Sequence, residues 1–481
     1  MFRMYYSGRP NHPRLWDEPN CRILLYAESQ DGIHWTKPDL GLYEWRGTRK
    51  HNIILPNDDF SYVISEAEGA WVFIDPMAES NDERYKMLIK LTPVRDKQGK
   101  TVREPSLYKG QYAFASPDGI RWRLMSSKNI NPMSSDTKFS VEWDPNVAQY
   151  VAYTRVKHLA SGDDPRMNHI TRFYRDQYGL LVNFRGRLVG RMTSSRFKRD
   201  WSQETVVLAQ DEMDSAGTAN RFALWPSLSR PPEDEKDHDT AKTGRPRMQI
   251  YGGNVSRYSE APGVYIAMLN MYYHWKNTTL HLAGQDRSNV RFPGTVGVQL
   301  ATSRDGINWH RSPGRRPLIR HGPAGSWWSG QLWPAGNQIR VGDQLWIYFV
   351  GIAAAHNLQQ DVEPSNSDYG RAILRLDGFI SADAAYTGGE LITRPMLFEG
   401  SRLQLNVDAG NGGLVQVEIL DEAGDPIEGV TLAEADEISG NHIRVQPTWK
   451  RNADVSRLAG KPIKLRFVMR DAKLYSFQFV E

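Results

Sequence analysis

The segment Ser29-Gln30-Asp31-Gly32-Ile33-His34-Trp35 ends a short apolar run, and its pattern Ser-x-Asp-Gly-x-x-Trp returns at 116–122 and at 303–309. Degraded copies lie at 190–201 and 372–379. Asp-Gly favours a turn with positive φ, and Ser and Asp side chains can satisfy the amides of a turn. The Trp can pack where the chain re-enters a sheet. We therefore predict hairpin turns between outer strands, whose aspartates have a structural rather than a catalytic role.

The strands around these turns recur in the same order. The repeated unit reads strand, Asp-Pro turn, strand, loop, strand, Ser-x-Asp-Gly turn and final strand. Five such units are typical of a propeller with four-stranded blades, whereas a sandwich of comparable length would not repeat this order. We predict an all-β, five-bladed β-propeller over residues 1–375. The Tyr- or Trp-bearing strands lie at 2–8, 84–91, 149–156, 264–273 and 344–351, and the Asp-Pro strands at 70–76 and 138–145.

The pattern of the chain changes near residue 376. From there to residue 481, short alternating strands are separated by Gly, Asp and Asn turns. This pattern predicts a compact antiparallel β-sandwich over 376–481.

Composition and charge exclude several function classes. The chain of 481 residues is 40% hydrophobic and 24% charged, as is usual for globular proteins. No apolar stretch is long enough for a membrane span, so we expect no membrane partner. The formal net charge of +4 is too small to indicate nucleic acid. Cys21 is the single cysteine, which excludes an internal disulfide framework.

Basic residues crowd one stretch of the chain, between residues 166 and 199. The simplest interpretation is a solvated face of outer strands. The alternative is a rim that attracts an anionic substrate, such as a sulfated or uronate glycan. The residues are Arg166, Arg172, Arg175, Arg185, Arg187, Arg191, Arg196, Lys198 and Arg199.

The pattern of the first residues, Met1 to Tyr6, predicts a strand, so we expect no signal peptide in this chain. Two expectations stay open. Either the protein is cytoplasmic, or its start lies upstream and it is secreted or periplasmic. The sequence leaves the oligomeric state undecided.

Five stretches resemble the glycoside hydrolase superfamily of five-bladed propellers, which includes families 32 and 43. The resemblance is stronger to an uncharacterised bacterial branch described as family-32-like. The stretches are YAESQDGIHWTKPDLGLYEWRG (26–47), VFIDPMAESNDERYKM (72–87), VQLATSRDGINWHR (298–311), RLDGFISADAAYTGGELITRP (375–395) and GKPIKLRFVMRDAKLYSFQF (460–479).

The resemblance implies three carboxylates at the mouth of a central channel, at the starts of the innermost strands of the first three blades. One is a nucleophile or base, one stabilises the transition state and one is the general acid. We expect this chain to depart from that pattern, with a first blade that begins at its second strand and lacks the innermost one.

Three carboxylates are candidate catalytic residues. Asp136 and Glu68 occupy the starts of the innermost strands of the third and second blades, and Glu142 lies deeper in the third. A carboxylate on a strand packed on both faces costs several kcal/mol unless it is paired or lines a wet cavity. Lys138 could pair with Glu142, so a structural ion pair remains an alternative, as does a solvated loop position for Glu68.

Five residues are candidate substrate contacts, because aromatic faces stack on sugar rings and polar side chains bind hydroxyl groups. Core packing is the alternative for each Trp and a structural role for the His. We expect no cofactor and no metal, since the sequence has no HExxH motif, EF-hand loop or cysteine cluster. The candidates are Trp327, Trp328, Gln331, Arg257 and His274.

These observations favour a glycoside hydrolase that cleaves a plant or algal glycan by carboxylate general acid/base chemistry. A non-catalytic glycan-binding propeller is the rival hypothesis. A glycoside phosphorylase is a third, and it would need an Arg, Lys or His cluster beside the acid.

Overall fold

A computed structural model of the chain describes residues 1–8, 21–45, 47–55, 62–65, 70–93, 110–130, 140–156, 164–182, 187–214, 248–274, 294–356, 367–410 and 412–481. The chain divides into two compact units. The first comprises Met1–Asn337 and Tyr348–Gly370, and the second Gln338–Ile347 and Arg371–Glu481. The fold is all-β, as the sequence predicts. Within the described ranges, no helix has the length and apolar character needed to cross a membrane.

The first sheet has the order β1-β2-β4-β6-β7-β8, with β3 paired to β2 and β5 paired to β6. All of these pairs are antiparallel. The strands are β1 (Phe2–Gly8), β2 (Cys21–Ser29), β3 (Ile53–Leu55), β4 (Tyr62–Ser65), β5 (Trp71–Ile74), β6 (Tyr85–Pro93), β7 (Gly110–Ser116) and β8 (Arg123–Leu124).

The second sheet has the order β12-β11-β10-β9, so β9 is an edge strand. A helix, α1 (Asn168–Tyr178), lies in sequence between β10 and β11 and ends at Gly179, whose φ of 65° permits the left-handed cap. The strands are β9 (Ser140–Asp144), β10 (Gln149–Val156), β11 (Leu188–Ser194) and β12 (Thr205–Leu208).

The third sheet has the order β13-β14-β15-β18-β19-β20, and both β16 and β17 pair with β15. The contact between β15 and β18 is parallel and joins Val296 to Gln331, whereas β13, β14 and β15 form antiparallel pairs. The strands are β13 (Met248–Arg257), β14 (Tyr265–His274), β15 (Gly294–Ser303), β16 (Trp309–Arg311), β17 (Pro317–Ile319), β18 (Gln331–Val341), β19 (Gln344–Ile352) and β20 (Ser367–Arg375).

The remaining strands form two smaller sheets, β21-β27-β23-β25 and β22-β26-β24, which share one apolar core. Along β26, Ile463, Leu465, Phe467 and Met469 are buried while the residues between them are partly exposed. The strands are β21 (Ala382–Ala384), β22 (Gly389–Ile392), β23 (Arg402–Asp408), β24 (Leu414–Asp421), β25 (Asn441–Val445), β26 (Ile463–Arg470) and β27 (Ala472–Val480).

Strands of the first unit differ from this alternation, since β7 is buried at every residue. A strand can be buried throughout only when both faces of its sheet are covered. The polar residues of such strands therefore need partners inside the protein.

The three complete Ser-x-Asp-Gly turns have the same hydrogen bonds. In the second copy, Ser116 Oγ accepts the N–H of Gly119 at 2.9 Å. Asp118 Oδ1 accepts the N–H groups of Ile120 and Arg121, each at 2.8 Å. The turn glycine has a φ of 77° here, and the other two copies have 72° and 69°. Because every carboxylate of the motif is used to close its own turn, the recurrence of Asp-Gly reflects the geometry of the hairpin.

The two Asp-Pro turns share a second recurrent contact. Asp75 Oδ2 accepts the hydroxyl of Tyr150 at 2.8 Å, and Asp144 Oδ2 accepts that of Tyr265 at 2.6 Å. Both aspartates are buried, and Lys86 Nζ lies 3.4 Å from Asp75. Tyr150 lies on β10 of the second sheet, whereas Asp75 directly follows β5 of the first. Tyr265 lies on β14 of the third sheet, whereas Asp144 ends β9 of the second. Each hydrogen bond therefore fixes the position, along the strand direction, of one group of neighbouring strands relative to the next group.

We predict that the charge of Asp118 stabilises the fold only above acidic pH. Burial alone raises the pKa of Asp118, but the N–H groups and guanidinium of Arg121 and the N–H of Ile120 outweigh it and lower the pKa to about 2. The unfolded value is about 4, so this stabilisation is present above pH ~4 and is lost as the pH falls toward 2. Asp118→Asn should cost about 1 kcal/mol at pH 7, since partial exposure screens the charge.

The measurement is urea unfolding of both proteins from pH 7 down to pH 2.5. Asp82→Asn is the matched control, because Asp82 is exposed. A difference between wild type and Asp118→Asn that stays constant over this range would contradict the prediction.

Candidate functional site

The edge strands β9 and β13 lie side by side and are joined through side chains. Val255 N donates to Ser140 Oγ at 3.1 Å, and Arg257 N donates to Glu142 Oε1 at 2.7 Å. An edge strand exposes unpaired N–H groups that must find acceptors when buried. Polar residues on β9 supply these acceptors, which explains why a strand in this position carries Ser and Glu.

The environment of Glu142 favours the protonated form of its carboxyl more than water does. Its side chain is 23% exposed, and Arg257 Nε lies 3.6 Å from its Oε1. Burial raises the pKa of Glu142, the hydrogen bond and charge of Arg257 oppose that rise, and the charge of Asp144 adds to it. The balance is a raised pKa. Partial access and a raised pKa both favour a carboxyl as a proton donor.

Arg257 therefore takes the position beside Glu142 for which the sequence offered Lys138. Lys138 lies outside the described residues, as do Asp136 and Glu68. In the sequence, Glu68 falls between β4 and β5, and Asp136 precedes β9. Their catalytic roles stay predictions.

Trp327 and Trp328 are both half-buried. The ring of Trp327 stacks on Phe349 with centroids 5.7 Å apart and an angle of 8°, and Trp328 tilts against it at 5.0 Å. A Cβ on Gly370 would stand 2.6 Å from the Trp327 ring, so only glycine leaves room for it. One face of Trp327 is thus occupied within the protein, and the predicted sugar contact remains a prediction for both rings.

The structure describes the side chain of Gln331 but only the backbone of His274. Gln331 is buried, its Nε2 donates to Ala354 O at 2.8 Å, and its Oε1 accepts from Trp333 Nε1 at 3.2 Å. This geometry favours a structural task for Gln331. The backbone of His274 ends β14 and pairs with Gly294, while its side chain lies outside the description.

A buried group of two carboxylates and two arginines escaped the sequence analysis. Asp214 binds Arg311 through two contacts of 3.2 Å, and Asp211 binds Arg315. Burial and the charge of Asp214 raise the pKa of Asp211, while the two arginines oppose that rise. The side chains of Asp211 and Asp214 are 0% and 3% exposed, so a substrate has no access and the group is structural. Because its two halves lie about a hundred residues apart, no local motif could reveal it.

The described part of the chain holds no group of three or more His, Cys, Asp or Glu side chains arranged to bind a metal ion.

Comparison with known proteins gives similarity to solved structures only. No protein-family model matches the chain, and no curated protein matches it. An N-acetylgalactosamine deacetylase from F. plautii aligns with a TM-score of 0.41 and 12% identity, over 78% of this chain and 86% of that one. An α-L-arabinofuranosidase from Fusarium graminearum aligns with a TM-score of 0.37 and 11% identity, over 78% and 89%.

A β-1,2-mannobiose phosphorylase from Listeria innocua aligns with a TM-score of 0.31 and 14% identity, over 69% of this chain and 78% of that one. At these scores and identities the similarity assigns neither a family nor an activity to this chain.

We predict that Glu142→Gln stabilises the protein at neutral pH. Glutamine keeps an acceptor for the Arg257 N–H and has no charge to bury. A carboxyl whose folded pKa is raised stabilises the fold below its unfolded pKa of about 4.3 and loses that contribution as the pH rises through the folded pKa. The two proteins should therefore have similar stability at pH 4, and the variant should melt at the higher temperature at pH 7.

Glu83→Gln is the matched control, because the pKa of Glu83 shifts in the opposite direction and the variant should change stability in the opposite direction. Burial raises the pKa of Glu83, but Lys86 and Arg123 outweigh it and lower the pKa. The Glu83→Gln variant should therefore lose stability relative to wild type as the pH rises from 4 to 7. Thermal melts across this range test both signs, and a Glu142→Gln variant that melts below wild type at pH 7 would refute the assigned environment of Glu142.

Proposed function

We propose that residues 1–375 form a five-bladed β-propeller related to the family 32 and 43 glycoside hydrolases, and that residues 376–481 form a β-sandwich. Five successive sets of hydrogen-bonded strands support the propeller: β1 to β3, β4 to β8, β9 to β12, β13 to β17, and β18 to β20. The hydroxyl of Tyr348 on β19 donates to Gly32 O at 2.7 Å, which joins the last set to the first. Such a contact is needed to close a ring of blades.

We infer that this protein is a glycoside hydrolase that cleaves a plant or algal glycan, with Glu142 as the general acid. The observation that carries the proposal is the environment of Glu142. It is a partly exposed carboxyl on an edge strand, with a raised pKa and its Oε1 oriented by the Arg257 N–H. General acid catalysis needs a carboxyl that is protonated at working pH and held in one direction.

The second carboxylate of the reaction is Asp136 or Glu68. Hydrolysis requires two carboxyl groups on either side of the glycosidic bond, about 5 to 10 Å apart. Asp136 precedes Glu142 by six residues, a separation of up to roughly 20 Å if the chain is extended. Glu68 comes from a different part of the sequence. The rates of variants at Asp136 and Glu68 distinguish these two candidates.

We predict that Glu142→Gln lowers the rate on aryl glycosides with poor leaving groups by about 10²- to 10⁴-fold, the usual contribution of a general acid. Its effect on a dinitrophenyl glycoside should be much smaller, because that aglycone departs without a proton. Loss of the nucleophile or base impairs both substrates equally. Whichever of Asp136→Asn and Glu68→Gln shows that behaviour identifies the second carboxylate.

The measurement begins with wild type on a panel of aryl glycosides and of plant and algal polysaccharides. Asp82→Asn serves as the surface control, and thermal melts confirm that every variant folds. Equal rates for Glu142→Gln and wild type would exclude Glu142 as the acid. Binding of a glycan by wild type without turnover of any substrate would replace the hydrolase with a non-catalytic binding propeller.

A further inference from the structure

A second cluster of polar residues lies away from Glu142 and contains two arginines and a histidine around one tyrosine ring. The guanidinium carbon of Arg187 stands 4.6 Å from the ring centroid of Tyr251, and that of Arg155 stands 4.9 Å from it. The imidazole of His356 meets the same ring edge-on at 5.2 Å and the ring of Tyr272 at 4.9 Å. The cluster therefore brings three nitrogen-rich side chains to one place.

The register of the strands shows where this cluster lies. Glu142 pairs with Val151, and Ser140, the first residue of β9, pairs with Tyr153. Arg155 is two residues further along β10, beyond the start of β9. Arg187 comes directly before β11, whose Leu188 pairs with Val156. The cluster thus lies at the end of the sheet where β9 begins, about four residues or roughly 13 Å along the strand from Glu142.

Arg187 and His356 each have a buried polar atom for which the described residues supply no hydrogen-bond partner. Arg187 Nη1 donates to Gln249 Oε1 at 2.7 Å. Its Nε and the Nδ1 of His356 have no hydrogen-bond partner in the part of the chain that the structure describes. Buried polar groups in folded proteins are almost always satisfied by protein, water or ligand. A ligand with several acceptor atoms would satisfy these two at once.

The electrostatics of the cluster identify the charge of that ligand. Burial, and then the charges of Arg187 and Arg155, lower the pKa of His356 to about 4. No carboxylate forms an ion pair with Arg187 among the described residues. Two guanidinium groups near a neutral imidazole make a local positive field in a water-poor environment, where an anion is bound more strongly than in water.

We propose that Arg187 and His356 bind one small oxyanion, the carboxylate of a uronic acid, a sulfate ester or a phosphate, and that the buried guanidinium of Arg155 adds positive charge beside it. Guanidinium groups match such anions because their N–H donors lie in a planar fork. The side chains of Tyr251 and Tyr272 hold the arginine planes by cation–π contact. As a contact for a substrate group, this site rests on the proposed function, but its binding of an anion does not.

Calorimetric titration of the full chain with glucuronate, galacturonate, inorganic sulfate and inorganic phosphate tests the site, with glucose as the neutral control. Arg187→Gln should weaken binding of the preferred anion at least tenfold, and Arg187→Lys should weaken it less. Arg196→Gln is the matched control, since Arg196 belongs to the same basic stretch but is 58% exposed. It should leave the affinity unchanged.

The preferred anion identifies its source. Stronger binding of a uronate than of sulfate or phosphate supports the site and indicates a uronate glycan, whereas preference for sulfate indicates a sulfated one. Phosphate-dependent cleavage that yields a sugar 1-phosphate also supports the site. In that reaction the glycosidic bond breaks, an anomeric C–O bond to phosphate forms, and the leaving alcohol takes a proton.

Absence of binding for all four anions, or equal affinity in Arg187→Gln and wild type, would overturn this inference. Hydrolysis of a neutral glycan without any anion binding would do so too and would leave the hydrolase proposal intact. Anion binding that Arg187→Gln abolishes, in a protein that cleaves no glycan, supports the site and rejects the hydrolase.

Discussion

The hydrogen bonds from Tyr150 to Asp75 and from Tyr265 to Asp144 are the constraint on which the rest of the first unit depends. Each buries a carboxylate, which is tolerated because a charged acceptor with a directed donor contributes about 1.5–3 kcal/mol, whereas an unpaired buried charge costs more. Each also joins one set of strands to the next at the same level. With the strands held in these positions, the edge strands β9 and β13 lie side by side, and the N–H of Arg257 donates to Glu142.

This arrangement separates two kinds of chemistry along the strands. At the end of the strands where the Asp-Pro and Ser-x-Asp-Gly turns lie, Asp144 accepts a hydrogen bond from a tyrosine hydroxyl and Asp118 accepts one from a backbone N–H. At the opposite end, where β9 begins, arginines and a histidine gather around Tyr251. Glu142 lies between them on β9, beside Arg257. A glycan that carries an anionic group would meet cationic side chains at one end and a proton donor deeper along the strand, which is a physical basis for orienting it.

Features encoded within a few residues could be predicted from the sequence. The Ser-x-Asp-Gly turns close through contacts two or three residues apart, so spacing and residue type suffice. Glu142 could also be predicted as a candidate, because a carboxylate on an inner strand that is packed on both faces is unusual. Arg257 was predicted as a substrate contact, and its hydrogen bond to Glu142 was missed because residues 115 positions apart leave no local pattern. The same reason hid His356, and it hid the ion pairs of Asp211 and Asp214 with Arg315 and Arg311.

The most direct test of the account is a crystal structure that resolves Glu68 and Asp136 and gives their carboxyl distances to Glu142. If Glu142 is the general acid, one of the two carboxyl groups should lie about 5 to 10 Å from it, across a cavity wide enough for a sugar ring. A separation near the lower value would indicate retention of anomeric configuration, and one near the upper value inversion. If both carboxyl groups stand more than about 15 Å from Glu142, no glycosidic bond can be shared, and the assignment of Glu142 as the acid is wrong.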